Sequence, residues 1–276
     1  MEKSLTSLQN PRVKGFAALK DKKQREREQL YLVEGVRAVD TYLSCGDILQ
    51  TLIYDDEIPL PDVALDLVFA ARKKGVEVLP VGTNAIAKIA DTEHPQGVIG
   101  VARMGDADWR AIVDEGEGDA TVAAAPLLLL DGVKDPGNLG ALLRSAHAVG
   151  CTRIVTLPGT VDVYSPKVVR AAMGSLPSLQ IARMTDTFEE LGARLNEEGY
   201  RVIGTDLDGT SLYEEDLTGK LALFIGSEAD GLSFDASDLC ERMITIPMPG
   251  KTESLNVAIA ASVILYESLR QRLVRK

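Results

Sequence analysis

Two kinds of hydrophobic pattern alternate along the chain, and the alternation predicts an α/β protein. Short apolar runs bounded by glycine, proline or polar residues are typical of buried strands, and apolar residues recurring every three or four positions indicate helices. In residues 127–150, four leucines precede a turn-rich segment and a helical stripe that includes Leu139 and Leu142. The loop then lies at the carboxyl end of a strand, where open α/β sheets bind ligands. Taken alone, the stretch also fits an ordinary strand–loop–helix unit.

The same patterns predict ten strands and nine helices. Strands are predicted at 31–34, 49–54, 76–80, 97–102, 127–131, 153–157, 179–182, 201–205, 221–225 and 243–246. Helices are predicted at 12–29, 36–43, 63–74, 83–90, 139–149, 165–172, 187–198, 235–240 and 255–272. Strand–helix alternation in the second half predicts a parallel sheet covered on both faces by helices.

A change in composition divides the chain into two expected domains. Residues 105–120 hold six acids, three glycines and one arginine, and we interpret them as an acidic linker with a short helical turn around Trp109. The 276 residues, 45% of them hydrophobic, provide enough apolar side chains for two cores. The predicted domains are therefore residues 1–104 and 121–276, and we expect the second to fold alone.

Composition also argues against several classes of protein. No apolar run is long enough for a transmembrane helix, and the first residues lack the apolar core of a signal peptide. Cys45, Cys151 and Cys240 are scattered and odd in number, which favours reduced thiols in the cytoplasm over a disulfide framework. His94 and His147 do not combine with these cysteines in the spacing of a zinc site, so we predict no metal.

Charge is distributed unevenly. The net charge of −11 argues against indiscriminate nucleic-acid binding. Residues 1–37 nevertheless carry nine basic and five acidic side chains, a local charge of +4. Such a cluster can contact a phosphate backbone, or it can be the solvated, salt-bridged face of a polar helix.

Three polar loops that contain glycine follow predicted strands and carry the candidate chemistry. Nucleotide fingerprints such as GxGxxG and GxxxxGK[ST] are absent, and so is the GxSxG elbow. Together the loops form a candidate pocket. Asn138 and Ser254 are suitable residues to cap the helices that follow the first and third loops. Arg144 lies off the apolar stripe of its helix, one turn after Gly140.

These loops resemble the ordered motifs of the SpoU (TrmH-type) ribose 2′-O-methyltransferases of the SPOUT superfamily. The first motif, NxGxxxR, falls on Asn138, Gly140 and Arg144. The second, GxExxG, begins at Gly226, and the third comprises IPM at 246–248 and SLNxA at 254–258. The resemblance covers almost the whole chain, since residues 164–174 and the N-terminal part also resemble the family, the latter its substrate-binding domain.

The resemblance implies a fold, a cofactor and a set of site residues. It implies S-adenosyl-L-methionine as cofactor, a deep trefoil knot in the C-terminal domain, a homodimer with the site near its interface, and an N-terminal domain with a ribosomal-protein fold. The cofactor would contact Gly226, Ile246, Leu255, Thr205 and Met248. The catalytic residues would be Arg144, Asn138, Glu228, Ser254 and Asn256. For RNA binding, the basic N-terminal stretch suggests Lys14, Lys22, Lys23 and Arg25.

The implied reaction narrows the role of Arg144. A guanidinium, with a pKa above about 12, scarcely deprotonates, so we favour an electrostatic role over that of a general base. Glu228 would orient Arg144 or Asn138. His147 could act as a base, but a residue three positions after Arg144 is also an ordinary polar helix neighbour.

The implied function is methylation of a ribose 2′-hydroxyl, most simply in large-subunit ribosomal RNA. The alternatives are a transfer-RNA ribose methyltransferase, a non-catalytic RNA-binding protein with the same fold, and a small-molecule enzyme with an accessory domain. The last leaves the basic stretch of residues 1–37 without a role. The target nucleotide, and the choice between a housekeeping and an antibiotic-resistance role, stay open at the level of sequence.

Overall fold

The computed structural model describes residues 4–114, 125–250 and 252–274. Its contacts divide the chain into two compact units. The first unit contains Met1–Met104 together with Asp162–Pro177, and the second contains Gly105–Val161 together with Ser178–Lys276. The chain therefore leaves the second unit once and returns to the first, which a single boundary near residue 104 does not anticipate.

The first unit is built on a four-stranded mixed sheet. Its strands are β1 (Leu30–Glu34), β2 (Leu49–Asp55), β3 (Glu77–Val81) and β4 (Val98–Arg103), in the spatial order β1-β4-β2-β3. Only β2 and β3 are parallel, because β4 runs antiparallel to both of its neighbours. Its helices are α1 (Pro11–Ala18), α2 (Lys22–Glu28), α3 (Val36–Ser44), α4 (Asp62–Lys73), α5 (Thr83–Ile89) and, from the returning segment, α8 (Pro166–Ala171).

The single helix predicted over residues 12–29 is two helices. Leu19 ends α1, and the side chain of Asp21 accepts a hydrogen bond from the backbone N–H of Gln24 and so caps α2. The carbonyl groups of Leu19 and Lys20 are turned toward the Arg25 guanidinium, which donates to both at 2.9 and 2.7 Å. The polar composition predicted the helical content, and the capping contact of Asp21 and the contacts of Arg25 with the intervening carbonyls stabilise the break.

The second unit contains a six-stranded sheet in which every neighbouring pair is parallel. Its strands are β5 (Leu127–Leu130), β6 (Arg153–Thr156), β7 (Gln180–Arg183), β8 (Arg201–Ser211), β9 (Leu221–Ile225) and β10 (Arg242–Thr245), in the spatial order β10-β8-β9-β5-β6-β7. Its helices are α6 (Trp109–Asp114), α7 (Pro136–Ala148), α9 (Phe188–Glu197), α10 (Phe234–Asp238) and α11 (Val257–Val274). The predicted parallel sheet is confirmed.

The topology places the motif loops along one edge of this sheet. The loops after β5, β9 and β10 all leave the carboxyl ends of their strands, and β5 and β9 are direct neighbours. The four leucines of β5 are fully buried, as expected for a central strand of a parallel sheet. The short apolar strands β5 and β9 therefore lie in the core, and the polar loops that follow them are left to form a site.

Part of the expected linker is core structure. Trp109, Ile112 and Val113 on α6 pack into the hydrophobic core of the second unit, and Trp109 is only 2% exposed. Its indole N–H donates to Asp186 at 2.6 Å, so the polar end of the ring is satisfied. The glycines and acids at 115–120 lie outside the described residues.

The segment that returns to the first unit is held there by polar and aromatic contacts. Asp162 accepts from Arg25 at 2.5 Å, and Arg170 donates to Asp91 at 2.7 Å. The ring of Tyr164 lies 4.7 Å from that of Tyr31 on β1. A fragment of residues 121–276 would lose these partners, which argues against the expected independence of the C-terminal domain.

We expect Arg25→Met to destabilise the first unit. Arg25 and Asp162 have side chains only 4% and 17% exposed, so the change leaves a carboxylate and two carbonyl groups without their donor. Breaking a buried pair on one side costs about 3 kcal/mol or more of unfolding free energy, measurable by urea denaturation of the full chain. Lys22→Met is the matched control, because the exposed Lys22–Glu26 pair contributes about 0.5 kcal/mol or less. Equal costs for the two variants would contradict a structural role for Arg25.

Candidate active site

Helices α7 and α11 pack side by side with their N-termini at the same end. Near the N-termini the Asn256 amide donates to Asn138 at 2.8 Å, and midway the hydroxyl of Ser262 donates to that of Ser145 at 2.7 Å. At the far end, Arg272 donates to the backbone carbonyl of Val149 at 3.0 Å. Three polar contacts at successive levels hold the helices parallel and bring the first and third motifs together.

The residues that cap these helices differ from those expected. Asp135, not Asn138, is the N-cap of α7, and its carboxylate accepts from the backbone N–H of Asn138 at 2.8 Å. Asn256, not Ser254, caps α11 by accepting from the backbone N–H groups of Ala258 and Ile259. Because Asn138 occupies the first turn of the helix rather than its cap, its side chain is available for contacts with the other motifs.

One hydrogen-bond chain joins all three motifs. The Asn138 amide donates to Glu228 Oε1 at 2.6 Å, and its own carbonyl oxygen accepts from the Asn256 amide at 2.8 Å. Glu228 therefore contacts Asn138, and it does not contact Arg144, the other partner considered from sequence. The structure thus brings three of the five candidate catalytic side chains into direct contact.

The loop after β9 is closed by its own backbone. Ser227 and Gly231 exchange backbone hydrogen bonds of 2.8 and 3.2 Å. A Cβ atom on Gly226 would lie 2.3–2.5 Å from backbone atoms of Gly231 and Leu232. Glycine is thus required at 226 by the loop itself, before any cofactor is considered.

Two further contacts, not foreseen from sequence, fix this loop against the one after β5. The buried Asp131 carboxylate accepts from the backbone N–H of Ser233 at 2.6 Å. At the surface Lys134 donates to Asp230 at 3.0 Å and lowers the pKa of that carboxyl group. A carboxylate directly after a buried strand was the available sequence signal for Asp131.

A cavity of about 340 Å³ lies at this edge of the sheet. All five residues that the resemblance assigns to the cofactor line it, and so do Glu228 and Ser254. Its walls combine apolar side chains, such as those of Ile264 and Val257, with carboxylates such as that of Asp206. A cavity of this size and mixed lining suits a small molecule that has both apolar and polar parts.

Arg144 lies on the exposed face of α7 and is paired with no described residue. It is not part of the cavity lining, and neither are Asn138 and Asn256. His147, one turn further along, is half-buried. An exposed, unpaired guanidinium can contact a phosphate or a developing alkoxide without first breaking an ion pair.

The proposed RNA-binding residues fall into two groups. Lys14, Lys22 and Lys23 are exposed on α1 and α2. Arg25 is buried, and its contacts with Asp162 and two backbone carbonyls occupy its guanidinium, so its assignment to RNA was wrong. Sequence composition could not separate a cation that faces solvent from one that folds inward on the same short helix.

Other chemistries find little support in the described residues. Burial raises the pKa of the Cys151 and Cys240 thiols to about 12, so neither is a ready nucleophile. Among the described residues, no group of three or more His, Cys, Asp or Glu side chains is placed to hold a metal ion. Within those residues, too, no helix combines the length and the apolar content that a membrane crossing requires.

Comparison with known families agrees with the motif positions. Residues 125–266, more than half of the chain, match the model of the SpoU rRNA Methylase family. This chain belongs to the SpoU rRNA methylase family. Residues 10–100 match the MRM3-like substrate binding domain. The predicted family is therefore confirmed, and so is the resemblance of the N-terminal part to its substrate-binding domain.

Relatives and solved structures extend the match over nearly the whole chain. The 23S rRNA (guanosine(2553)-2′-O)-methyltransferase RlmP of Bacillus subtilis (strain 168) is 30% identical, covering 96% of this chain and 98% of its own. A 23S rRNA (uridine(2479)-2′-O)-methyltransferase of Streptomyces viridochromogenes is 32% identical over 93% and 88%. The crystal structure of an AdoMet-bound rRNA methyltransferase from Sinorhizobium meliloti matches with a TM-score of 0.82 and 31% identity, over 97% of both chains.

We expect Gly226→Ala to disrupt the loop of this SpoU-family protein more than a change at Gly231 does. The new Cβ would overlap backbone atoms, which cannot move aside as a side chain can, at a cost of about 1–3 kcal/mol. Gly231→Asn is the control, because a Cβ at 231 meets no atom within 4 Å and Asn tolerates the positive φ of 68°. Thermal unfolding and calorimetric S-adenosylmethionine binding would compare them. Unchanged stability and affinity in Gly226→Ala would contradict the close approach of Gly226 to the backbone of Gly231 and Leu232.

Proposed function

We propose that this protein methylates a ribose 2′-hydroxyl of large-subunit ribosomal RNA, with S-adenosylmethionine as methyl donor. The observation that carries the proposal is the meeting of the three SpoU motifs beside one cavity, through the contacts of Glu228, Asn138 and Asn256. The relatives from B. subtilis and S. viridochromogenes are named as 23S rRNA 2′-O-methyltransferases. Their named targets are a guanosine and a uridine, so the proposal specifies the ribose and not the base.

The cavity residues suit the cofactor. When bound, S-adenosylmethionine supplies an activated methyl group on a sulfonium centre. Gly226, Thr205, Ile246, Met248 and Leu255 would hold it, largely through backbone groups and apolar contact. The carboxylates at the cavity complement its positive charge. The crystal structure from S. meliloti contains the same cofactor, which supports the assignment.

Arg144 would act on the RNA rather than on the cofactor. Its guanidinium is exposed and unpaired within the described residues, so it can grip a phosphate and stabilise the negative charge that develops on the ribose oxygen. Ser254 lines the cavity and can hydrogen-bond cofactor or ribose. No step of the proposal requires a metal ion, a reactive thiol or a neutral arginine.

The first unit would supply RNA affinity. It matches a substrate-binding domain, and Lys14, Lys22 and Lys23 present exposed charge on two successive helices. Phosphate contacts by such side chains supply a large share of nucleic-acid affinity. An RNA that carries both a structured region and an accessible ribose fits this division better than a small-molecule substrate does.

We also propose a homodimer formed through α11. Apolar side chains surround the first half of this helix: Ala261, Ile264 and Leu265 are buried, whereas Ile259 and Tyr266 are more than half exposed. A helical segment that is apolar on all sides is normally covered on all sides. A second copy would bury the exposed stripe.

The trefoil knot implied by the family stays a prediction.

Action in the cytoplasm is part of the same proposal. None of the three cysteines, all of which lie in described stretches, forms a disulfide. Two of them, Cys151 and Cys240, have thiols whose pKa is raised by burial, so they are suited to remain reduced. Ribosomal RNA substrates would be found in the same compartment.

Arg144→Ala tests the electrostatic role. We expect kcat on ribosomal RNA to fall by about 100-fold or more, because a preorganised charge stabilising the transition state is lost. The calorimetric affinity for S-adenosylmethionine should stay within about twofold, since Arg144 is outside the cavity lining. Arg183→Ala removes another exposed cation from the second unit and serves as control. Near-normal turnover in Arg144→Ala would remove Arg144 from the site.

The wild-type assay also distinguishes the alternatives. Ribose methylation would be mapped after incubation with ribosomal RNA and, separately, with transfer RNA. Methylation of transfer RNA alone would overturn the proposed substrate. Binding of both without any transfer would indicate a non-catalytic RNA-binding protein.

Lys14→Gln, Lys22→Gln and Lys23→Gln in one full-length variant test the RNA surface. We expect weaker RNA binding and a salt dependence reduced by about one to two units in slope, because up to three phosphate contacts are lost. Cofactor affinity should not change. A control variant, Lys73→Gln with Arg103→Gln, removes exposed cations of the same unit outside α1 and α2. If both variants lose RNA affinity equally, α1 and α2 have no special role.

A further inference from the structure

We infer that Asn256 and Asn138 are positioning residues that impose one polarity on the hydrogen-bond chain and thereby hold the Glu228 carboxylate in one orientation at the edge of the cavity. The inference rests on the proposed function, and it names the residue that receives the target hydroxyl. The orientation of each asparagine side chain follows from the hydrogen bonds that its oxygen and its NH₂ group make. Each link determines the orientation of the next.

The polarity begins at the N-terminus of α11. The side-chain oxygen of Asn256 accepts from the backbone N–H groups of Ala258 and Ile259, at 3.0 and 3.3 Å. Those N–H groups have no partner within the helix and can only donate. The Asn256 amide cannot turn over without opposing its NH₂ group to two donors, so the NH₂ group must point away from the helix.

The next link inherits this orientation. The Asn256 NH₂ group donates to the side-chain oxygen of Asn138 at 2.8 Å. The Asn138 amide is therefore fixed as well, and its NH₂ group faces Glu228 at 2.6 Å. The backbone N–H of Asn138 is held by Asp135, which keeps the side chain at this position on α7.

Glu228 receives the end of the chain as an acceptor. The donating amide occupies Oε1 and fixes the side of the carboxylate that faces Asn138. Only Oε1 is engaged, and no described residue donates to Oε2. Because Glu228 lines the cavity, that second oxygen is available to a hydroxyl group brought next to the methyl donor.

The consequence for the reaction is orientation of the substrate. A ribose 2′-hydroxyl that donates to Glu228 Oε2 directs an oxygen lone pair away from the carboxylate and toward the cofactor. In the transfer, the ribose oxygen would bond to the methyl carbon as the bond from that carbon to sulfur breaks, and the hydroxyl proton would pass to Glu228 Oε2. Arg144 would contact the phosphate and the developing charge on the ribose oxygen. The two asparagines act only through Glu228.

Asn256→Asp separates this role from helix capping. Aspartate caps a helix as well as asparagine does, but it has no NH₂ group to donate. Asn138 would turn its NH₂ group toward the new carboxylate and present its oxygen to Glu228. We expect kcat to fall roughly 10- to 100-fold, as for loss of a hydrogen bond to a charged group, with S-adenosylmethionine affinity within about twofold. The side-chain amide NMR signals of Asn138 in the free protein should move at the same time.

A charge swap provides the second test. Asn138→Asp alone places two carboxylates together and should lower Tm. In the double variant Asn138→Asp with Glu228→Gln, the new amide donates to the new carboxylate, which still accepts from Asn256. The hydrogen-bond chain is then complete, but the negative charge lies on residue 138 instead of residue 228. We expect Tm to recover toward wild type while kcat remains at least about 100-fold reduced.

Controls separate this inference from the proposed function. Asn196→Asp adds a negative charge at an exposed site of the same unit and should leave kcat and amide signals unchanged. Recovery of kcat in the charge-swapped variant, or wild-type kcat in Asn256→Asp, would overturn the inference. So would Asn138 amide signals unaltered by Asn256→Asp, a result independent of turnover. Failure of the wild-type protein to methylate any RNA would instead overturn the proposed function.

Discussion

The parallel packing of α7 against α11 is the constraint on which the site depends. Asn256, Ser262 and Arg272 each contact α7 at a different level, so the two helices cannot shift along one another without breaking polar contacts. Their N-termini consequently meet at the carboxyl edge of the parallel sheet. The converging partial positive charges suit the carboxylate of Glu228, which reaches them from the loop after β9.

The loops that complete the site are held mainly by backbone hydrogen bonds. Gly226 lets the loop after β9 close on itself, and the Asp131 carboxylate ties that loop to the end of β5. Backbone contacts of this kind tolerate side-chain variation at the surface while the geometry is kept. The cavity lining thus includes residues as chemically ordinary as Ile246 and Leu255.

The first unit shows how misleading a count of charges can be. Of the basic residues in 1–37, Arg12 pairs with Glu77, Lys20 donates to two backbone carbonyls, and Arg25 is buried with Asp162. Lys14, Lys22 and Lys23 on α1 and α2 and Arg37 on α3 remain exposed. Asp162, in the returning segment at 162–177, pairs with Arg25. The guanidinium of Arg25 is therefore buried in the folded protein although α2 is a polar helix.

The sequence by itself determined the strands, the parallel sheet and the order of the motifs, because apolar runs such as Leu127–Leu130 and loops with glycine are local signals. It also placed Gly226, Ile246 and Leu255 at one site through their motifs. It could not choose the caps: Asp135 and Asn138 are both suitable residue types, and only backbone geometry selects Asp135. Nor could it show that Arg25 is buried or that residues 162–177 join the first unit. Those outcomes depend on contacts between residues as far apart as Arg25 and Asp162, which tertiary structure alone brings together.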